Sequence, residues 1–341
     1  MHPKKHKFQN KALQRVKRPF NGRRVIMVFS IFNLFEKKNE GLKASDRIAF
    51  IYSPQYNLAL EAHVFPAHKF ASLHDFLAMD EELCDVPFFD PEPATKENLL
   101  LVHTEELLDD LEELKYSYRT KRSELPLTHT LIENFKYGVG GTILAMQKTK
   151  EYKFVFNTGG GFHHSYPDHA EGFCYLNDVA VATRVYQKEN PGKKVLILDL
   201  DLHQGNGNSF IFQQDDTVFT FSMHQENLYP VKEKSDLDIP LYDGCEDTEY
   251  LSELKRALHK LKNFQPDLIF YLAGADPFEG DKLGSLRLSF KGLQERDRIV
   301  KAFAEEMKCP VVIVTAGGYA VNFQDTVKIH YNTARVFAID T

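Results

Sequence analysis

No two of the four cysteines (Cys84, Cys174, Cys245, Cys309) stand close enough to form a CxxC pair. That spacing gives neither a disulfide framework nor a thiolate zinc site, so reduced thiols in a cytoplasmic compartment (or a nuclear one, in a eukaryote) are expected. Long apolar runs are also scarce. The one nearly continuous run, VIMVFSIFNLF at 25–35, has 11 residues, whereas a spanning helix needs roughly 20, so no transmembrane segment is expected. Neither GxGxxG nor GKS/T accompanies the glycine run at 159–161, which weakens a phosphate-cradle reading. Acid is missing from the first 24 residues, which hold nine of the 42 Lys and Arg and leave 33 bases against 48 acids for the rest. An acidic body argues against direct nucleic-acid binding and suits cationic, lysine-bearing partners. Residues 1–45 are read as a poorly ordered basic and apolar extension, with membrane-surface contact as the alternative. Residues 46–341 are read as one domain, a length ordinary for a single large α/β core.

What is present is a series of short β-branched or aromatic runs at 47–52, 153–157, 194–200, 217–222, 267–273 and 310–316. Near-continuous apolarity suits parallel strands covered on both faces. Helical patterns lie between them, such as 177–189, opened by an N-cap-like Asn177, and 250–264 with leucines at helical spacing. The alternation predicts a doubly wound α/β sandwich. Five strand ends run into TGGGFHH (158–164), DLDLHQGNGN (199–208), SMH (222–224), GAD (274–276) and AGGY (316–319). Open parallel sheets bind ligands beyond the carboxyl ends of their strands, so these segments converge on one edge.

Within them, Asp199, Asp201 and His203 alternate with Leu198, Leu200 and Leu202. Side chains two apart share a side of an extended chain, so Asp201 and His203 can reach one metal while the leucines face the core. Asp276 is the candidate third ligand, and two carboxylates with one imidazole describe an open catalytic zinc site rather than a closed structural one. Taken alone, Asp-x-His could equally be loop-capping residues at a strand end; the neighbouring loops give it weight. His163 and His164 suit general base and acid work beside a bound water. Tyr319, directly behind a strand and two glycines, could donate a hydrogen bond to an oxyanion.

The segments GGGFHH with EGFCYLND (159–178), DLDLHQGNG (199–207), GADPFEGDKLG (274–284) and AGGY (316–319) resemble those of zinc-dependent histone deacetylases, from about Tyr52 to Arg335. HQGNG (203–207), YSPQYN (52–57) and EGDKLGSLRLS (279–289) make the chain similar to class IV members. The resemblance implies an arginase/deacetylase-type three-layer sandwich, with a central, mostly parallel sheet and helices on both faces. It implies zinc on Asp201, His203 and Asp276. His164 would be the principal proton shuttle, His163 its electrostatic partner, and Tyr319 the transition-state phenol. Asp199 would sit behind His163 and beside a structural potassium ion shared with Ser222 and the backbone near Met223. Gly172, Phe173, Leu283 and Gly318 would contact substrate.

The implied reaction is hydrolysis of an N-epsilon-acyl-lysine amide, acetyl or long-chain fatty acyl, in a protein or peptide. There are two departures. Many members carry Asp where this chain has Asn206, and a neutral amide stabilises an imidazolium less, so a lower His164 pKa than in Asp-bearing relatives is expected. Members acting on acetylated polyamines place a glutamate near the channel mouth where Leu283 stands here. The competing readings are a small-molecule deacetylase on the same scaffold, a catalytically idle acyl-lysine binder, and an arginase-like binuclear enzyme.

Overall fold

The computed structural model describes residues 43–339, apart from 58, 59, 61, 62 and 67. Of the expected extension 1–45, all but the last three residues lie outside the described residues. The described strands are β1 (Ile48–Ile51), β2 (Phe88–Phe89), β3 (Phe154–Asn157), β4 (Val195–Asp199), β5 (Val218–Gln225), β6 (Leu237–Leu241), β7 (Leu268–Leu272) and β8 (Val311–Val314). They form one sheet in the order β2-β1-β3-β8-β7-β4-β5-β6. Every pairing is parallel, so the expected "mostly parallel" sheet is wholly so among the described strands.

Six strands fall where the apolar runs predict them. β2 and β6 were not anticipated. β2 is two residues long, too short to carry a period. β6 reads LDIPL, and its proline and partial exposure are those of an edge strand.

Strand residues alternate between two cores. Ile51, Val155, Ile197, Phe270 and Val312 pack on one face, and Phe50, Phe156, Leu198, Tyr271 and Ile313 on the other. The period-two alternation of a strand thus sends apolar side chains both ways, which explains why these runs read as continuous rather than alternating. Each fully buried Leu, Ile or Phe contributes roughly 1.5–3 kcal/mol, so both faces need a cover.

The first face is covered by α4 (His129–Lys148) and α5 (Asp178–Glu189). The second is covered by α7 (Asp247–Leu261), α8 (Phe290–Met307) and α9 (Phe323–Ala338). The shorter helices α1 (Lys69–Met79), α2 (Lys96–Leu99), α3 (Glu105–Glu112) and α6 (Asn206–Phe212) complete the three-layer sandwich. Asn177 does cap α5, its side chain accepting from the Ala180 N–H at 2.9 Å. The helix expected over 250–264 starts and stops three residues earlier, at Asp247 and Leu261. Among the described residues no helix is long and apolar enough to cross a membrane.

Candidate active site

The four strands β3, β8, β7 and β4 are neighbours at the centre of the sheet, and their carboxyl ends deliver the candidate residues to one place. β4 stops at Asp199, yet Leu200 and Leu202 stay in the same core as Leu198. The alternation therefore outlasts the ladder and turns Asp201 and His203 the opposite way. Asp276 follows β7, and its Oδ1 accepts the Leu202 N–H at 3.0 Å. Asp201 is held from two sides, Oδ1 accepting from the His203 N–H at 2.9 Å and Oδ2 from the Gly317 N–H at 2.7 Å.

Ligand-capable atoms of Asp201, His203 and Asp276 lie within 4.8 Å of one another, and all three residues are buried. Three observations say that this cluster fits a cation. Asp276 Oδ2 is buried without a well-formed hydrogen bond, its nearest donor being His203 Nδ1 at 3.3 Å, an arrangement that costs free energy unless something fills it. A Cβ at Gly317 would collide with carboxylate oxygens of Asp276 and Asp201, so a glycine is needed for the close approach. Burial and then the Asp201 charge push the Asp276 carboxyl up to about 7, and against its own burial His203 is driven up to about 10 by Asp201 and Asp276. The carboxylates thus crowd negative charge into a dry site, which a metal ion would relieve.

The histidine pair stands on the loop after β3. Asp178, the first residue of α5, grips this loop by accepting from the Gly161 and Phe162 N–H groups at 2.9 and 2.6 Å. His163 Nδ1 lies 2.8 Å from Asp199 Oδ2. Burial opposes its charge, but Asp199 and Asp201 prevail and raise its pKa to about 9. His164 Nδ1 lies 2.7 Å from Asn206 Oδ1. Burial, followed by the charges of His163 and His203, pushes it well below the usual imidazole value, and the Asn206 hydrogen bond only partly opposes this. Two adjacent histidines, their rings 4.1 Å apart, are therefore driven in opposite directions by their environments, the pattern that separates a base from a charged partner.

A channel of about 290 Å³ leads to them, lined by Glu124, His164, Gly172, Phe173, His203, Leu228, Tyr229, Leu283 and Tyr319. Beyond it, around the Asp201 and His203 side chains, a smaller space of about 20 Å³ is walled by Phe65, Phe70 and Phe162. Burial, then Asp276 and Asp201, hold the Tyr319 phenol well above its ordinary pKa, so it stays a donor. Gly172 (φ 51°) and Phe173 (φ 61°) both sit in the left-handed region. A Cβ on Gly172 would meet the Tyr229 hydroxyl at 2.6 Å and the His164 ring at 2.7 Å.

Gly318 is the one expected substrate contact that lines neither space. A Cβ there would meet Thr326 and Ala275 instead, and Gly317 holds the place at the wall. Ser222 lies beside Asp199 in register, but its hydroxyl pairs with His224 Nδ1 at 2.9 Å. Met223 is buried on β5. Among the described residues Asp201, His203 and Asp276 form the cluster with metal-binding geometry. Tyr229, Phe65, Phe70 and Asp178 were not singled out by the sequence. Tyr229 and Phe65 lie in connecting segments with no periodic signal, and Phe70 sits in the first turn of α1; for Asp178, its place directly after an N-cap asparagine was the available hint.

A three-layer α/β domain with a buried Asp-His-Asp cluster at the carboxyl edge of its sheet defines the class to which this chain belongs. Residues 63–334 match the histone deacetylase domain. An uncharacterized protein of a Picosynechococcus strain is 40% identical over 82% of this chain and 95% of its own length. Histone deacetylase 2 of Arabidopsis thaliana is 32% identical over 80% of this chain and 75% of its own. Among solved structures, an HDAC homolog complexed with SAHA superposes with a TM-score of 0.75 at 25% identity, covering 86% of this chain and 84% of that one. An HDAC homolog from Aquifex aeolicus superposes with a TM-score of 0.74, also at 25% identity and with the same coverage. The chain belongs to the histone deacetylase family.

Proposed function

We propose that this protein is a zinc-dependent lysine deacylase, hydrolysing the amide of N-epsilon-acyl-lysine in a protein or peptide, and that it is a class IV member of its family. The observation that carries the reading is the meeting of a channel, a buried metal-competent cluster, two oppositely tuned histidines and a phenol at one sheet edge. Zinc held by Asp201, His203 and Asp276 would supply Lewis acidity and a nucleophilic water at neutral pH.

The remaining chemistry belongs to the chain. Phe173 and Leu283 flank the aliphatic stem of the lysine, and Gly172 leaves room beside His164. His164, neutral because of its burial, takes the proton of the attacking water. His163, kept cationic by Asp199, offsets charge as it builds. Tyr319 donates a hydrogen bond from its hydroxyl to the oxyanion of the tetrahedral intermediate, an interaction strengthened by the exclusion of water. Collapse breaks the C–N bond, and the amine leaves with a proton from the histidine pair.

Leu283 offers no charge to a small cationic substrate, but Glu124 lines the same channel, so acetylated polyamines are the competing substrate class. The inner space of about 20 Å³ is little more than room for one water. A long fatty acyl chain would therefore require the wall of Phe65, Phe70 and Phe162 to open. A structural potassium ion at Asp199, Ser222 and Met223 is part of the same proposal.

The test is hydrolysis of matched peptides bearing acetyl-, octanoyl- or myristoyl-lysine by the zinc-loaded protein, beside acetylated polyamines. Turnover of the peptides supports the reading, and the preferred chain length sets the substrate. Turnover of polyamines alone, or of nothing despite bound zinc, contradicts it.

A further inference from the structure

Behind His164 this chain places the Asn206 amide rather than a carboxylate, and an amide is a less secure partner for a base. Its two ends differ in chemistry but little in shape, so only its surroundings decide which end meets His164. If Oδ1 faces the ring, His164 carries its proton on Nδ1 and keeps Nε2 free as a base. If the amide turned over, Nδ2 would face the ring, the proton would move to Nε2, and the base would be lost.

The structure contains a device that settles this choice. Asn206 Nδ2 faces Glu171 Oε1 at 3.4 Å and the Tyr166 hydroxyl at 3.2 Å. The Tyr166 hydroxyl spends its own proton on Glu233 Oε1 at 3.1 Å, so it too offers Asn206 an acceptor. Both groups behind Asn206 can therefore only accept, and the amide must point its NH₂ at them. Glu171 is 5% exposed and remains ionised. Burial works against its charge, but His169 and Arg122 hold its pKa below the usual carboxylate range. His169 Nε2 lies 3.3 Å from Oε2, and Arg122 pairs with the same oxygen.

We propose that Glu171 is a positioning residue for the base: its carboxylate orients Asn206, and through Asn206 fixes the tautomer of His164. The negative charge behind this histidine stands on Glu171, one residue beyond the neutral Asn206 amide. The tautomer claim concerns the resting protein; the kinetic consequence rests on the deacylase reading.

The experiment combines kinetics with ¹⁵N NMR of histidine in the full chain. Glu171→Gln removes the charge at nearly constant shape and can present an NH₂ to Asn206. In the wild-type background it is expected to lower kcat about tenfold or more with KM little changed. In an Asn206→Asp background, where a carboxylate already faces His164, the same substitution is expected to change kcat less than about twofold. A purely structural role through Arg122 and His169 would cost the same in both backgrounds. The ¹⁵N shifts are expected to show the Nδ1–H tautomer of His164 in the wild type and a mixture or the Nε2–H form in Glu171→Gln. Equal kinetic losses in the two backgrounds, or an unchanged tautomer, would overturn the proposal. Were the wild type inactive on every acyl-lysine peptide, the deacylase reading would fall, and the tautomer measurement would still decide the role of Glu171.

Discussion

Asp281 accepts the backbone N–H of Tyr319 at 2.7 Å, and with its other oxygen accepts that of Leu283 at 2.8 Å. One half-buried carboxylate thus ties the loop bearing the phenol to the loop bearing the channel wall. Removing it leaves two N–H groups without their partner and lets the phenol drift, and small misplacements of a reacting group are expensive. Asp281→Ala is expected to lower kcat about 10- to 100-fold while zinc content stays at one equivalent. Steady-state kinetics with metal analysis of the same preparation checks this, and activity within about twofold of wild type would count against it.

The Tyr319 ring packs between Phe65 and Phe173, with centroids 6.1 Å from each. Its position is thus set by ring contacts and by the backbone bond to Asp281. Tyr319→Phe should therefore keep stability within about 0.5 kcal/mol and retain zinc. It should lose roughly 10²- to 10³-fold in kcat, the usual cost of an oxyanion donor. Denaturant unfolding and kinetics on one preparation separate the two effects, and a stable variant with full activity would remove the phenol from the mechanism.

Asp276 Oδ2, buried with only His203 Nδ1 at 3.3 Å beside it, makes the cluster costly when it holds no cation. Chelation is therefore expected to lower Tm and one equivalent of zinc to restore it, with about 2.7 kcal/mol gained at a free concentration 100 times Kd. In Asp276→Ala the zinc-dependent shift should largely vanish. Calorimetry of the two proteins with and without zinc measures it, and an equal shift in both would place the metal elsewhere.

His103 supplies a pH dependence remote from the metal cluster. Its Nδ1 faces the Tyr166 carbonyl at 3.1 Å and its Nε2 accepts the Asn177 N–H at 3.0 Å, a pairing that only the neutral ring can make. Burial holds its pKa down to about 4, against an unfolded value near 6.5. Between those values the unfolded chain binds a proton that the fold refuses. The stabilisation is therefore complete above about pH 6.5 and declines as pH falls, by up to about 3 kcal/mol at pH 4. The unfolding free energy of the wild type should fall more steeply across that window than that of His103→Gln. Parallel slopes would show that His103 is not the group responsible.

The sheet's central strands were legible because burial on both faces forces continuous β-branched and aromatic runs, as in KVLILDL and PVVIVTA. The meeting of Asp201, His203 and Asp276 was legible because Asp201 and His203 lie two apart at a strand end, and strand ends share an edge. β6 was hidden by the proline and polar residues that suit an edge, and β2 by its length. Tyr229 and Glu171 were not picked out because their roles arise from where loops fold back in space: Tyr229 lies in the loop after β5, its ring 5.4 Å from that of His164. In AGGY, Gly317 lines the inner space and Gly318 does not, a difference set by the backbone path alone.

The most direct test of the account is a zinc titration of the chelated protein, with acetyl-lysine peptide as substrate and mass spectrometry of the products. The account predicts that free lysine peptide and acetate appear in equal amounts, that the rate rises linearly to one equivalent of zinc, and that Asp276→Ala stays inactive throughout. Amide hydrolysis that is indifferent to zinc, or that survives in Asp276→Ala, would contradict the assignment of the reaction to the Asp201, His203 and Asp276 site.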